Sequence, residues 1–244
     1  MEAKNIPSYT FNKLFFDKID TEKKAYWLGF IWCDGTVTRR NRKGKYWEYC
    51  MKLDLSSEDR GHVEKFKNAI ESNHTIRDYT YPSSFDKNKT QTVSRIALYN
   101  KYFGENLYYN YGMIPHRDNI DKLKDKIPNH LIKDFIRGVV DADGSISFYY
   151  DETSKLKTKK VAIQITTLEC LNTFINEYLL GKGLLKTKLK QNQRYKGRDS
   201  NCRTLSISGR IQATNVISYL YKDSNISLDR KYQRYEEVKK FVEE

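Results

Sequence analysis

Two nine-residue segments of this chain read almost alike. They are Trp27-Leu-Gly-Phe-Ile-Trp-Cys-Asp-Gly35 and Ile136-Arg-Gly-Val-Val-Asp-Ala-Asp-Gly144. Each is an apolar helical stretch with a glycine in its middle, and each closes in Asp-Gly. A repeat of this kind restricts the fold to two similar units in one chain. It also puts two carboxylates, Asp34 and Asp143, at equivalent places in those units.

The repetition extends past the motif. A strand pattern follows at Thr36–Arg40, then a polar turn, then a second strand at Tyr46–Leu55. In that strand Tyr49, Met51, Leu53 and Leu55 alternate with polar residues. The second unit has Ser145–Tyr150, a polar turn, and a strand at Lys160–Thr166 with Val161, Ile163 and Ile165 on one face. Ser56-Ser57-Glu58-Asp59 and Thr166-Thr167-Leu168-Glu169 then read as hydroxyl N-caps of a helix. A hairpin follows in each unit, His74–Tyr81 with Thr92–Tyr99 and Leu185–Gln191 with Arg203–Ser208. A further helix closes each unit. The order is αββαββα, an α+β fold with a four-stranded antiparallel sheet per unit. The boundaries expected are an N-terminal extension over 1–20, units over 21–118 and 129–244, and a charged linker over 119–128. A last helix at Leu228–Val242 ends the second unit.

The chain has 244 residues and a net charge of +13, with 44 lysines and arginines. Such a charge points to a polyanionic partner. No apolar run approaches the ~18 residues that span a bilayer, and no secretory or targeting segment is visible. Nucleic acid is therefore the leading partner, with no membrane role. A soluble, intracellular location is expected: a bacterial or phage-infected cytoplasm, or an organelle. The four cysteines show no Cys-x-x-Cys pairing, so reduced thiols are expected rather than a zinc site or disulfides. His62 and His74 read as surface residues, and no two histidines have the close spacing of a metal pair.

On a helix, positions four apart share a face. Ala25, Gly29 and Cys33 form one smooth strip, and Gly138 and Ala142 form the matching one. A mid-helix glycine costs about 1 kcal/mol relative to alanine, and close helix–helix packing gives it a reason. Packing along these strips brings Asp34 and Asp143 together at the negative ends of two helix dipoles. A divalent cation offsets that charge. Mg²⁺ takes one or two carboxylates plus water and phosphate oxygens, and metal clamped on a phosphate supports phosphodiester hydrolysis.

Ile136–Gly144 resembles the LAGLIDADG motif, matching its glycine, its aliphatic positions and its closing Asp-Ala-Asp-Gly. Trp27–Gly35 resembles a more divergent copy, with Trp32 in place of the first acid. The context Pro128…Phe135-Ile-Arg-Gly and the Leu-Ser-Ser-Glu-Asp around residue 57 are similar to that family too. The resemblance spans roughly residues 20–240. It implies a single-chain homing endonuclease, a functional monomer, with the motif helices at the domain interface and the two sheets forming a saddle over double-stranded DNA. It implies Asp34 and Asp143 as ligands of Mg²⁺ (or Mn²⁺), with the backbone around Gly35 and Gly144 as further candidates and no organic cofactor. Basic residues near the end of each half would support the reaction; the positional matches are Arg117 and Arg230 or Lys231.

Strand alternation and basic turns nominate DNA contacts. The first half offers Arg39, Arg40, Arg42, Lys43, Lys45, Arg77, Tyr79, Tyr81 and Arg95. The second offers Lys157, Gln164, the alternating Lys186, Lys188 and Lys190, then Gln191, Gln193, Arg194, Lys196, Arg198 and Arg203. Lysine and arginine neutralise phosphates, whereas arginine, glutamine and asparagine read base edges.

Two other readings compete. The same scaffold could bind nucleic acid without cutting it, as a splicing maturase or a transcription regulator. An acid in both motif copies favours cleavage, because binding alone does not need it. The chain could instead be an intein, but it has no terminal Cys or Ser nucleophile and no closing His-Asn, so a free-standing protein is expected.

Overall fold

The computed structural model describes residues 9–82, 88–115, 120–151, 158–193 and 201–243. The first unit runs α1 (Glu22–Asp34), β1 (Gly35–Arg42), β2 (Tyr46–Ser56), α2 (Arg60–Ala69), β3 (Arg77–Pro82), β4 (Thr90–Tyr99) and α3 (Lys101–Glu105). A short helix, α4 (Asp121–Lys124), precedes the second unit. That unit runs α5 (Ile132–Asp143), β5 (Gly144–Asp151), β6 (Thr158–Leu168), α6 (Glu169–Gly181), β7 (Gln191–Gln193), β8 (Cys202–Ser208), α7 (Arg210–Tyr221) and α8 (Asp229–Glu243). The strands form two four-stranded antiparallel sheets, ordered β1-β2-β4-β3 and β5-β6-β8-β7. The fold class is α+β, and each sheet has one face covered by helices.

α1 and α5 pack on each other along the small-residue strips. A Cβ added to Gly29 would lie 2.1 Å from the Phe135 carbonyl oxygen, and one on Gly138 would lie 2.1 Å from that of Tyr26. No residue larger than glycine fits at either position without moving a backbone. Ala25 is fully buried at this seam, and Cys33 and Ala142 are half-buried. One continuous apolar core runs from Phe15, Phe16 and Ile19 through the seam to Leu220, Val238 and Phe241. Phe15, Phe16 and Ile19, before α1, are thus part of the core. Asn12 N–H also donates to the Ile70 carbonyl at 2.8 Å.

Several local expectations change. The hydroxyl caps do not form at α2 and α6. Ser56 still belongs to β2 and makes no capping bond. Thr166 and Thr167 are drawn into β6, because β8 pairs as far as Leu168 opposite Cys202. The first free N–H of α6 instead meets the Asn201 carbonyl at 2.8 Å. Lys186–Lys190 is not a strand. Asn176 bonds both the carbonyl and the N–H of Leu189, at 2.8 and 3.2 Å, and the Lys186 N–H donates to Gln212. Those side chains occupy the backbone groups that a ladder would use, so the strand starts only at Gln191.

His62 is the clearest burial error. It is 2% exposed, against aromatic rings of Trp27 and Phe30, and its Nε2 lies 2.9 Å from the Tyr26 hydroxyl. Burial pushes its imidazole down to about 3, so it is neutral at ordinary pH.

Candidate active site

Asp34 and Asp143 are the last residues of α1 and α5. The glycine after each caps its helix with an N–H bond to a carbonyl four residues back, from Gly35 to Ile31 and from Gly144 to Val140. Each then leaves in extended conformation into the first strand of its sheet. The seam therefore delivers both carboxylates to one place, where the two sheets begin.

Their electrostatics follow from that placement. Burial first and the Asp143 charge second raise the Asp34 carboxyl to about 7, against the opposing charges of Arg230 and Lys231. The Cys33 thiol is held neutral, first by burial and then by the charges of Asp143 and Asp34. Two half-buried acids at two negative helix ends form a site with surplus negative charge. Among the described residues no cluster of three or more His, Cys, Asp and Glu side chains makes a complete protein cage. Two carboxylates suit a hard cation that keeps water and phosphate in its shell, and so the donor set fits Mg²⁺ or Mn²⁺.

The start of α8 brings cations to these acids. Lys231 is 6% exposed, and its ammonium donates to the Gly144 carbonyl. Burial and the neighbouring Arg230 lower its pKa, making it a less reluctant proton donor than a free lysine. Arg230 pairs with Asp59 at 3.0 Å, a residue on the approach to α2 in the first unit. Asp59 was missed from the sequence; the signal available was its place at the end of the Ser-Ser-Glu-Asp run. Arg117, the first unit's matching candidate, lies outside the described residues.

Strand register decides which side chains occupy the open faces of the sheets. In the first sheet that face carries Arg40, Lys52, Arg77 and Arg95 with Tyr79, Tyr81 and Tyr99. Arg95 is clamped by Asp54 through two bonds of 2.6 and 2.5 Å, with its guanidinium 4.7 Å over the Tyr79 ring. Arg42 is tied to Glu48 at 2.6 Å. Lys43 and Lys45 are exposed beside the β1–β2 turn. Arg39 lies on the other face of the sheet. It stands opposite Tyr49 on the helix side, bonded to the Tyr109 hydroxyl at 2.9 Å and stacked over Trp47 and Tyr108.

The second sheet has a different open face. It presents Ser145, Ser147, Ala162, Gln164, Thr166, Thr204 and Ser206. Gln164 is exposed there as expected from its strand position. Gln191 and Arg203 are not on this face. Gln191 pairs in register with buried Leu205 and bonds Thr173 on α6 at 2.8 Å, and Arg203 pairs with Glu169 at 3.3 Å. Gln193 shares their register. Lys186, Lys188 and Lys190 are exposed on an irregular segment, with Lys188 paired to Glu177 at 2.9 Å. Lys157, Arg194, Lys196 and Arg198 lie outside the described residues.

The architecture matches a set of solved structures over nearly its whole length. One is the LAGLIDADG homing endonuclease I-LtrWI bound to target DNA, with TM-score 0.57 and 16% identity over 91% of this chain and 90% of that one. The fold is that of the LAGLIDADG homing endonucleases. I-GzeII in complex with a DNA target superposes with TM-score 0.55, at 15% identity over 90% of this chain and 89% of that one. I-SmaMI bound to cleaved DNA gives 0.58, at 14% identity over 92% and 89%. No protein-family model matches the sequence, and no curated protein matches it significantly. At this identity it is three-dimensional agreement, not sequence similarity, that makes the link. Among the described residues no helix is long and apolar enough to cross a membrane.

Proposed function

We propose that this protein is a site-specific DNA endonuclease that makes a double-strand break in a long, asymmetric duplex by Mg²⁺-dependent phosphodiester hydrolysis. The observation that carries this reading is the convergence of Asp34 and Asp143 at the matched ends of two packed helices, with a sheet starting from each. Asp34 and Asp143 would hold Mg²⁺ or Mn²⁺. A bound divalent ion supplies Lewis-acid stabilisation of phosphate charge and a water of lowered pKa.

The chain's own groups do the rest. Lys231 and Arg230 place positive charge beside the acids, where charge on a scissile phosphate would build. The open sheet faces hold the duplex: cations bind phosphates, and Arg40, Arg77 and Gln164 have the chemistry to read base edges. Both acids come from one chain, so a monomer completes the site. The reading extends to homing, with the break made where an intron or intergenic element inserts. A duplex that joins the two flanks of the gene without interruption is then the first substrate to test.

Asp143→Asn should abolish cleavage of that duplex in Mg²⁺ while leaving its binding nearly intact. A variant that cuts at the wild-type rate would sink the two-carboxylate mechanism. If wild-type protein binds the duplex but never cuts it, the alternative of a non-cleaving binder on the same scaffold holds.

A further inference from the structure

Asp141 lies two residues before Asp143 and is fully buried. A buried carboxylate is costly unless its lone pairs are met. Here three donors meet them. Oδ2 accepts from the Tyr26 hydroxyl and from the Leu228 backbone N–H, both at 2.7 Å, and Oδ1 accepts from the Tyr221 hydroxyl at 2.5 Å. These donors belong to α1, to the residue before α8, and to α7. A single side chain of α5 thus ties three other elements together.

The Leu228 contact matters most. Leu228 caps α8: its carbonyl accepts from the N–H groups of Lys231 and Tyr232, at 2.9 and 3.0 Å. The Asp141 carboxylate therefore holds the peptide from which α8 starts, at the positive end of that helix dipole. Within the next turn come Arg230, on Asp59, and Lys231, on the Gly144 carbonyl. The first unit has Trp32 at the matching motif position. Trp32 is fully buried too, and its indole N–H donates to the Tyr111 carbonyl at 3.0 Å. Both motif helices tether a later segment of their own unit from this position, one with an acceptor and the other with a donor.

We propose that Asp141 is a positioning residue that fixes the first turn of α8 and so sets Arg230 and Lys231 beside the Asp34–Asp143 pair. The catalytic consequence rests on the nuclease reading; the geometric one does not.

Three variants of the full chain test this. Asp141→Leu leaves the Leu228 N–H unmet, and Leu228→Pro deletes that N–H from the other side. Asp141→Asn is the conservative control. Its oxygen can still accept from Tyr26 and Leu228, while its amide donates to the Tyr221 oxygen. The first readout is acetylation of lysine amines by acetic anhydride, followed by mass spectrometry, with exposed Lys186 as internal standard. Asp141→Leu and Leu228→Pro should raise Lys231 labelling about tenfold, as local opening does, and Asp141→Asn should stay near wild type. If Asp141→Leu does not fold, Leu228→Pro decides. Lys231 that stays protected in a folded Asp141→Leu or in Leu228→Pro overturns the proposal.

The second readout is single-turnover cleavage of a duplex with its strands separately labelled. One strand should be cut about 10–100-fold more slowly, because the variants act on the second unit's cations alone and the first unit has its own candidate in Arg117. Nicked product should accumulate, with DNA affinity within about twofold of wild type. Equal loss on both strands overturns local positioning. If wild-type protein cuts nothing, the nuclease reading fails, and labelling alone decides the geometric proposal.

Discussion

Asp34 occupies an unfavourable position for a lone acid. Its carboxyl is raised to about 7, chiefly by burial and then by Asp143. The fold therefore favours the protonated form. In metal-free protein the contribution of this group is best below the ordinary carboxylate pKa, and it is lost as pH rises through about 7. Asp34→Asn removes that penalty. Melting curves without metal should show the variant gaining on wild type between about pH 5 and 8, by an amount on the order of 1–2 kcal/mol after allowance for water at the site. Mg²⁺ should close the gap above pH 7 by stabilising only wild type. A constant gap across that range would refute the assignment. At this scale the acids themselves were legible, because the Asp-Gly endings repeat. The role of Asp141 was not. Its partners Tyr26, Tyr221 and Leu228 are distant in sequence, and no local pattern links them.

At the scale of elements, the seam between α1 and α5 makes opposite predictions for glycines of one type. Gly29→Ala and Gly138→Ala each drive a methyl into a backbone carbonyl of the other helix. Each should cost about 3 kcal/mol in denaturant unfolding. Gly61 is also helical, on α2, but nothing lies within 4 Å of an added Cβ. Gly61→Ala should therefore stabilise by about 0.5–1 kcal/mol. A similar response at all three positions would mean that the helices do not touch as described. The small-residue strip was readable because helical periodicity is local and strong. The caps of α2 and α6 were not readable. Hydroxyls before a helix look alike whether they cap it or end a strand, and pairing with β8 decided the matter for Thr166 and Thr167. Lys186–Lys190 had an alternating pattern as well, but Asn176 competes for its backbone.

For the whole molecule, charge count predicts that a polyanion binds, whereas register predicts where. Arg77 stands on the open face of the first sheet, and Arg39 stands on the covered side among tyrosines. Arg77→Ala should weaken duplex binding and reduce the slope of log affinity against log salt by about 1. Arg39→Ala should leave that slope unchanged and lower the melting temperature through its lost ring contacts. Salt titrations of both variants, beside melting curves, separate the two outcomes. The reversed pattern would place DNA on the wrong face of the sheet. A basic hairpin is visible in sequence, but a one-residue step moves a side chain to the other face. Arg39, Gln191 and Arg203 show how that parity escapes composition.

Among the described residues, the two open faces share no side chain with the α1–α5 seam. A substitution at Arg77, Gln164 or Ser206 leaves the glycine contacts and the acid pair untouched. On the proposed nuclease reading, duplex recognition and chemistry thus rest on separate sets of side chains. On that reading, the preferred duplex could be changed one open-face residue at a time while the α1–α5 junction stays as it is.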